Sequence, residues 1–216
     1  MFRIGILGVG KIAVNAMMPA FVHSTQTELC ALATRSESKA EQLKKDCSVE
    51  KCYSSYESLL EDDAIDGVYI GLPNHLHKDW TVRCLEAKKH VLCDKPLTMN
   101  LEEAIEIQHA AEQSGKVMME AFMYRCHPQT HRLLEMIQND AIGQIRLIRA
   151  TFSYEAPFEP QDLAYRKDLG GGGILDVGCY PISMSRLIAG AAIGEPFAQP
   201  LEVKACGHLG PTGVDE

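Results

Sequence analysis

No apolar run in this chain is long enough to cross a bilayer, so nothing in it reads as a membrane span. The N-terminus enters a glycine turn at Gly8 too soon to hold the apolar core of a signal peptide, and no small-residue cleavage site follows; the expectation is a cytoplasmic protein. There is no basic stripe, and a net charge of −8 argues against a nucleic-acid surface. The eight cysteines (30, 47, 52, 84, 93, 126, 179 and 206) contain no C-x-x-C, and the eight histidines no H-E-x-x-H. His75 and His77 lie close together, but no acidic or cysteine partner stands at zinc-like spacing beside them. No metal site and no disulfide framework are expected, and the cysteines read as buried free thiols of a reducing compartment. Internal repeats and low-complexity segments are also missing. What is there is ordinary: 46% hydrophobic and 23% charged residues over 216 positions, enough for one large domain or two small ones.

The chain is organised around its first stretch, FRIGILGVGKIA (2–13). Ile4, Ile6 and Leu7 read as a buried strand, and Gly8-Val9-Gly10 turns it into a helix beginning near Lys11. Gly8 allows the tight turn, Gly10 allows close approach of a pyrophosphate, and Ala13 lets helix pack on strand. The exposed N–H groups of Lys11, Ile12 and Ala13, at the positive end of that helix, would then face the diphosphate. An ordinary strand-to-helix turn uses glycines in the same way. The next strand, Leu29–Thr34, ends in Thr34-Arg35-Ser36, where an acidic residue for a ribose 2′-hydroxyl is missing. Arg35, Ser36 and Lys39 instead supply two cations and a hydroxyl suited to a 2′-phosphate, so NADP(H) is expected over NAD(H); Ser36 is equally suited to a helix N-cap.

Further along, helix 38–46, a strand near Tyr53, helical turn 56–60, strand 65–72, a helix on Leu76, Trp80, Cys84 and Ala87, strand 90–93, a helix to Ser114 and strand 117–120 alternate. Asn100 with Glu103 resembles a capping box. Such alternation defines a doubly wound α/β domain over residues 1–121. Past Ala121 the pattern changes. Pro128 opens a helix that Gly143 breaks, Gln144–Tyr154 reads as a long strand apolar on both sides, four glycines (170–173) precede a helix over 176–189, and 201–205 reads as another strand.

Four motifs in register, GVGKIA (8–13), PNHLH (73–77), DKP (94–96) and GGGILDVGCY (171–180), resemble the glucose–fructose oxidoreductase / inositol dehydrogenase family (Gfo/Idh/MocA) over essentially the whole chain. That resemblance implies a Rossmann domain followed, over residues 122–216, by an α+β domain built on a mostly antiparallel sheet, one face covering the site and the other mediating a homo-oligomer. It implies reversible hydride transfer between nicotinamide and a carbinol carbon of a sugar, polyol or cyclic trans-diol. A non-catalytic dinucleotide sensor or inactive truncated member is the alternative. Carried over by position, Lys95 is the catalytic cation, Asp176 orients groups in the site, and Leu72, Pro73, Asn74, His77 and Pro96 line the cofactor crevice. Tyr180 stands where most members have histidine, as in the glucose–fructose oxidoreductase and dimeric dihydrodiol dehydrogenase branch. Tyr124, Arg125 and Arg166 are candidate substrate contacts; among the other histidines only His127 draws any suspicion of a role.

The chemistry is coherent. Removing hydride from a carbinol requires its hydroxyl proton to leave, and tyrosine with a reference pKa of about 10 is a poor base unless an ammonium favours its phenolate. Without the family pattern, Lys95 reads as a surface lysine and Tyr180 as an amphipathic core residue. Two departures stand out: Asp94 replaces the usual glutamate, and the chain stops at Glu216 although family members are substantially longer. The second implies an incomplete sheet with an unpaired edge open to association.

Overall fold

The computed structural model describes residues 1–46 and 49–216; Cys47, expected to be a buried thiol, lies outside the described residues. Two compact units divide the chain, Met1–Ala121 and Phe122–Glu216.

In the first unit six strands form one parallel sheet: β1 (Phe2–Leu7), β2 (Thr27–Ala33), β3 (Lys51–Tyr53), β4 (Gly67–Ile70), β5 (His90–Cys93) and β6 (Met118–Glu120). Their order is β3-β2-β1-β4-β5-β6, so the winding reverses between β1 and β4. Alternation along each strand feeds two separate cores. Leu7, Val68, Ile70, Val91 and Cys93 pack on the side of α3 (Tyr56–Leu60), α4 (His77–Glu86) and α5 (Leu101–Ser114), where Leu59, Cys84 and Leu85 are buried. Ile4, Ile6, Leu32 and Tyr69 face α1 (Met18–His23) and α2 (Glu37–Asp46), which contribute Met18, Phe21 and Leu43. Apolar burial on both faces is why these strands read as near-continuous hydrophobic runs. Between the glycine turn and α1, Ala13–Met17 winds as a π-helix; Pro19, which has no N–H to give, is the second residue of α1.

Helix ends follow local chemistry. Ser55 Oγ accepts the Ser58 N–H at 3.1 Å to start α3. At α5 Asn100 Oδ1 accepts the Glu103 N–H at 2.9 Å, but the Glu103 carboxylate returns to Met99 N–H, at 2.9 Å, rather than to Asn100. The reciprocal bond of a capping box is therefore displaced by one residue.

The second unit holds α6 (Pro128–Gln138) and α7 (Cys179–Ile193), which pack against each other; the π-helical stretch Ile174–Gly178 leads into α7. Helix α6 ends before Gly143, with Asp140 already at φ 57°. The four glycines are an ordered turn: Gly171 N–H donates to Arg166 O at 2.9 Å, Gly172 N–H to Ala164 O at 2.9 Å and Gly173 N–H to Asp215 O at 2.8 Å. Gly172, at φ +124°, has no room for a Cβ, which would stand against the Asp215 carboxylate. Segments 144–154 and 201–205, expected as strands, carry no ladder. Among the described residues of this unit the only pairing is an isolated bridge between Leu209 and Asp215. Alternating side chains give a segment two faces but no partner, and a strand exists only as half of a ladder.

The thiols do not share one environment. Cys30, Cys84 and Cys93 are buried, and burial pushes each above the usual thiol range. Cys126 and Cys206 are exposed, against expectation: Cys126 closes the 3-10 turn Met123–Cys126 and Cys206 lies in a segment without helix or strand, both outside the sheet. No helix among the described residues is long and apolar enough to cross a membrane.

Candidate functional site

The glycine turn lies where the sheet reverses. Gly8 N–H donates to Ala33 O at 3.1 Å and Gly71 N–H to Leu7 O at 2.9 Å, which joins the ends of β2, β1 and β4. Gly8 sits at φ +86°, and a Cβ there would stand 2.6 Å from Leu72 Cδ2 and 2.7 Å from Gly71 O. Gly10 differs: it is exposed, and its nearest neighbour to an added Cβ is Gly71 O at 3.6 Å. The Val14 N–H closes on Gly10 O at 3.1 Å, so the amides of Lys11, Ile12 and Ala13 precede the first intrahelical bond. Open space over Gly10 beside unclaimed helical N–H groups fits a dinucleotide diphosphate. Beyond β2, Arg35 and Lys39 are exposed, and Ser36 Oγ accepts the Lys39 N–H at 3.4 Å, so Ser36 caps α2 in addition to flanking Arg35.

On the other side of the reversal, β5 runs into Asp94-Lys95-Pro96-Leu97, with a cis bond between Lys95 and Pro96. His77, expected in the cofactor crevice, opens α4. It is fully buried, with Nδ1 2.7 Å from Pro96 O and Nε2 2.7 Å from Leu72 O. A carbonyl oxygen only accepts, so each contact is a hydrogen bond when the facing nitrogen carries the proton. A neutral ring has one N–H, so it donates to one of the two carbonyls at a time, although each nitrogen faces the main chain. Leu72 and Pro96 are buried as well, Leu72 against Gly8, whereas Pro73 and Asn74 are half-buried at the strand end. Burial raises the Asp94 carboxyl above its ordinary range, partly offset by Tyr69, His77 and Lys95. Burial, reinforced by Asp94, also pushes the Tyr69 phenol upward.

In the second unit Tyr180, one residue into α7, stands among rings: Phe152 at 5.3 Å, Phe122 at 5.4 Å and Tyr124 at 6.4 Å between centroids. Its hydroxyl lies 3.6 Å from Met123 Sδ. Tyr180, Phe152, Arg149 and Met184 line a cavity of about 400 Å³. Asp176 Oδ2 accepts the Tyr154 hydroxyl at 2.5 Å, which pushes that phenol up to about 12. A larger cavity, about 560 Å³, includes Tyr154, Phe158, Tyr165 and Asp176 in its wall.

The three candidate substrate contacts are engaged within the fold. Tyr124 Oη and Arg125 Nη2 both donate to Ser183 Oγ, at 2.8 and 3.0 Å, and the Arg125 guanidinium lies 4.6 Å from the Phe197 ring centroid. Arg166 grips Asp168 with two bonds, at 2.8 and 2.6 Å. His127 serves as the N-cap of α6, its Nδ1 accepting the Gln129 N–H at 3.1 Å. One group escaped the sequence reading altogether: Glu120, whose Oε1 accepts the Leu97 N–H at 2.8 Å. Its only local signal was a carboxylate closing an otherwise apolar strand.

A doubly wound parallel sheet with a glycine turn at its reversal point is a dinucleotide-binding unit of Rossmann type. Residues 2–122 match the oxidoreductase family with an NAD-binding Rossmann fold, and residues 130–211 match the GFO/IDH/MocA C-terminal domain. The chain belongs to the Gfo/Idh/MocA oxidoreductase family. It is similar to D-xylose 1-dehydrogenase (NADP(+)) 2 of Haloferax volcanii, 38% identical over 94% of this chain and 62% of the relative. It is also similar to trans-1,2-dihydrobenzene-1,2-diol dehydrogenase of Xenopus tropicalis, 35% identical over 98% of this chain and 62% of the relative. Among solved structures, KijD10, a 3-ketoreductase from Actinomadura kijaniata in complex with NADP and TDP-benzene, superposes with a TM-score of 0.80 at 38% identity, over 87% of this chain and 57% of that one. The chain thus spans 62% of the length of these two curated relatives.

Proposed function

We propose that this chain is an NADP(H)-dependent oxidoreductase acting on a carbinol carbon of a sugar, polyol or cyclic trans-diol. The observation that carries the reading is the pair of unlike glycines: Gly8 is shut in by the strand ends, while Gly10 leaves open space at a helix start. Bound NADP(H) supplies the hydride acceptor or donor. Gly10 and the amides after it hold the diphosphate, and Arg35, with Ser36 and Lys39 nearby, receives the 2′-phosphate. Lys95 stabilises negative charge developing on the substrate oxygen, and Tyr180 takes the hydroxyl proton as hydride leaves carbon, so that the carbinol becomes a carbonyl. What supports a role for each of Lys95 and Tyr180 is the family motif in which each stands. Asp176 orients the wall in which Tyr154 sits.

The same reading assigns the face around 144–154 to an antiparallel sheet that walls the substrate site and joins copies into a homo-oligomer in the cytoplasm. Leu147, Phe152 and Tyr154 are exposed there, 70%, 49% and 57%, on a segment with no ladder. That is apolar surface suited to strand neighbours.

The test is oxidation of D-xylose, other aldoses, polyols and trans-diols with NADP+, followed by formation of reduced cofactor, in wild type and Lys95→Ala. Turnover that falls about 10²–10⁴-fold in the variant is expected. NADPH binding with no turnover across that panel would instead mark a dinucleotide-binding sensor.

A further inference from the structure

The Pro96 carbonyl and the Leu97 N–H are two ends of one planar peptide unit, and they point in opposite directions. Both ends are held by side chains. His77 Nδ1 lies 2.7 Å from the Pro96 oxygen, and Glu120 Oε1 accepts the Leu97 N–H at 2.8 Å. The two grips come from different elements, the start of α4 and the end of β6. The His77 ring itself is fully buried, with Nε2 2.7 Å from Leu72 O, just past β4. One peptide plane is therefore fixed against the ends of the strands on both sides of β5. Turning the plane would break both contacts at once. Between this plane and Lys95 stands only Pro96, whose ring locks φ, so few soft torsions are left between them.

We infer that His77 and Glu120 are positioning residues for Lys95: together they clamp the Pro96–Leu97 peptide and so set where the lysine leaves the end of β5. The inference rests on the proposed role of Lys95 and goes beyond it by naming what holds that lysine. Neither side chain needs to touch substrate or cofactor. The clamp uses the tautomer with the proton on His77 Nδ1, and Glu120 acts as an acceptor. Nothing in this role requires the Glu120 charge, because an amide oxygen at the same place accepts the same N–H.

The experiment compares wild type with His77→Ala, His77→Gln, Glu120→Ala and Glu120→Gln in steady-state turnover of the best substrate from the panel above. NADPH dissociation constants and hydrogen exchange of the Leu97 amide are measured alongside, and Trp80 fluorescence verifies folding. A displaced catalytic group costs about 10²-fold when it moves by about an ångström. The alanine variants are accordingly expected to lose about 10- to 100-fold in kcat while NADPH affinity stays within about twofold. Leu97 exchange should quicken in Glu120→Ala, and Glu120→Gln should restore both protection and kcat to within about threefold of wild type. Should His77→Ala fail to fold, His77→Gln, which keeps one donor, is expected to show a smaller loss of the same kind. Unchanged kcat in the folded variants, or a Glu120→Gln as impaired as Glu120→Ala, overturns the inference. Wild type without turnover on the whole panel overturns the proposed function and this inference with it, and is told apart because there the unmutated chain fails.

Discussion

Replacing each glycine of the Gly8-Val9-Gly10 turn by alanine should have opposite consequences. At Gly8 a methyl meets Leu72 Cδ2 at 2.6 Å and Gly71 O at 2.7 Å, and the backbone sits at φ +86°. The leucine tip can move, but the Gly71 carbonyl follows β4 and cannot. Left-handed backbone costs a β-carbon about 1–2 kcal/mol and overpacking about 1–3 more, so Gly8→Ala should destabilise the first unit by about 2–5 kcal/mol. Against a total of about 5–15 kcal/mol that is severe. At Gly10 the added methyl makes one ordinary contact, 3.6 Å from Gly71 O, at a backbone angle outside the left-handed region. Stability there should hold within about 0.5 kcal/mol or rise slightly, since alanine restricts the unfolded chain. The methyl would however fill the space over the helix start, and NADPH affinity should weaken at least about tenfold, equivalent to about 1.4 kcal/mol. Urea unfolding followed by Trp80 reads the first unit alone, because the chain has one tryptophan and it lies on α4, edge-on to Tyr56 at 4.8 Å. Fluorescence titration gives the affinity. An unshifted midpoint in Gly8→Ala would refute the steric reasoning, and wild-type NADPH binding by Gly10→Ala would remove the diphosphate from this turn.

Three more expectations follow from named contacts. Arg35→Ala should weaken NADPH by about 10- to 100-fold, the worth of a charged hydrogen-bonding pair, and leave NADH unchanged; equal losses for both cofactors would count against a 2′-phosphate at Arg35. Asp62 is held down to about 2 by the Lys51 ammonium at 2.7 Å and the Tyr53 hydroxyl at 2.8 Å. Its folded pKa lies below its unfolded value, so its contribution is present above about pH 4 and is lost as pH falls toward 2. Lys51 is 38% exposed, and with solvent screening the contribution is about 1 kcal/mol. Asp62→Asn should lower the Trp80 unfolding free energy by that amount at pH 7 and flatten its acid dependence; an unaltered acid slope would show that Asp62 does not titrate as described. In the second unit, Ser183→Ala removes the shared acceptor of Tyr124 and Arg125 and should cost about 1–3 kcal/mol, read by far-ultraviolet circular dichroism on heating. An unchanged melting curve would mean that the two donors find other partners.

Local chemistry, by itself, determined most of the first unit. The apolar runs around Ile4–Leu7, Leu29–Ala33 and Val68–Ile70 became strands because each is buried on both faces, and helix starts followed Ser55 and Asn100 because their side chains satisfy amides three residues on. The glycine turn was legible for the same reason: φ > 0 and close approach are demands that one residue type meets. Tertiary structure decided what depends on distant neighbours. Gln144–Tyr154 has the alternation of a strand but no ladder, since sequence sets faces and only the fold supplies partners. Arg125 read as a ligand contact from its neighbours in sequence, and only the fold brings Ser183, 58 positions away, and Phe197 against its guanidinium. His77 sits in a motif that suggests a crevice, yet its ring is closed between Leu72 and Pro96, and Glu120 reaches Leu97 across 23 positions. Periodicity and propensity act over a turn or two of chain, whereas burial and the pairing of polar groups are settled by residues that only folding brings together.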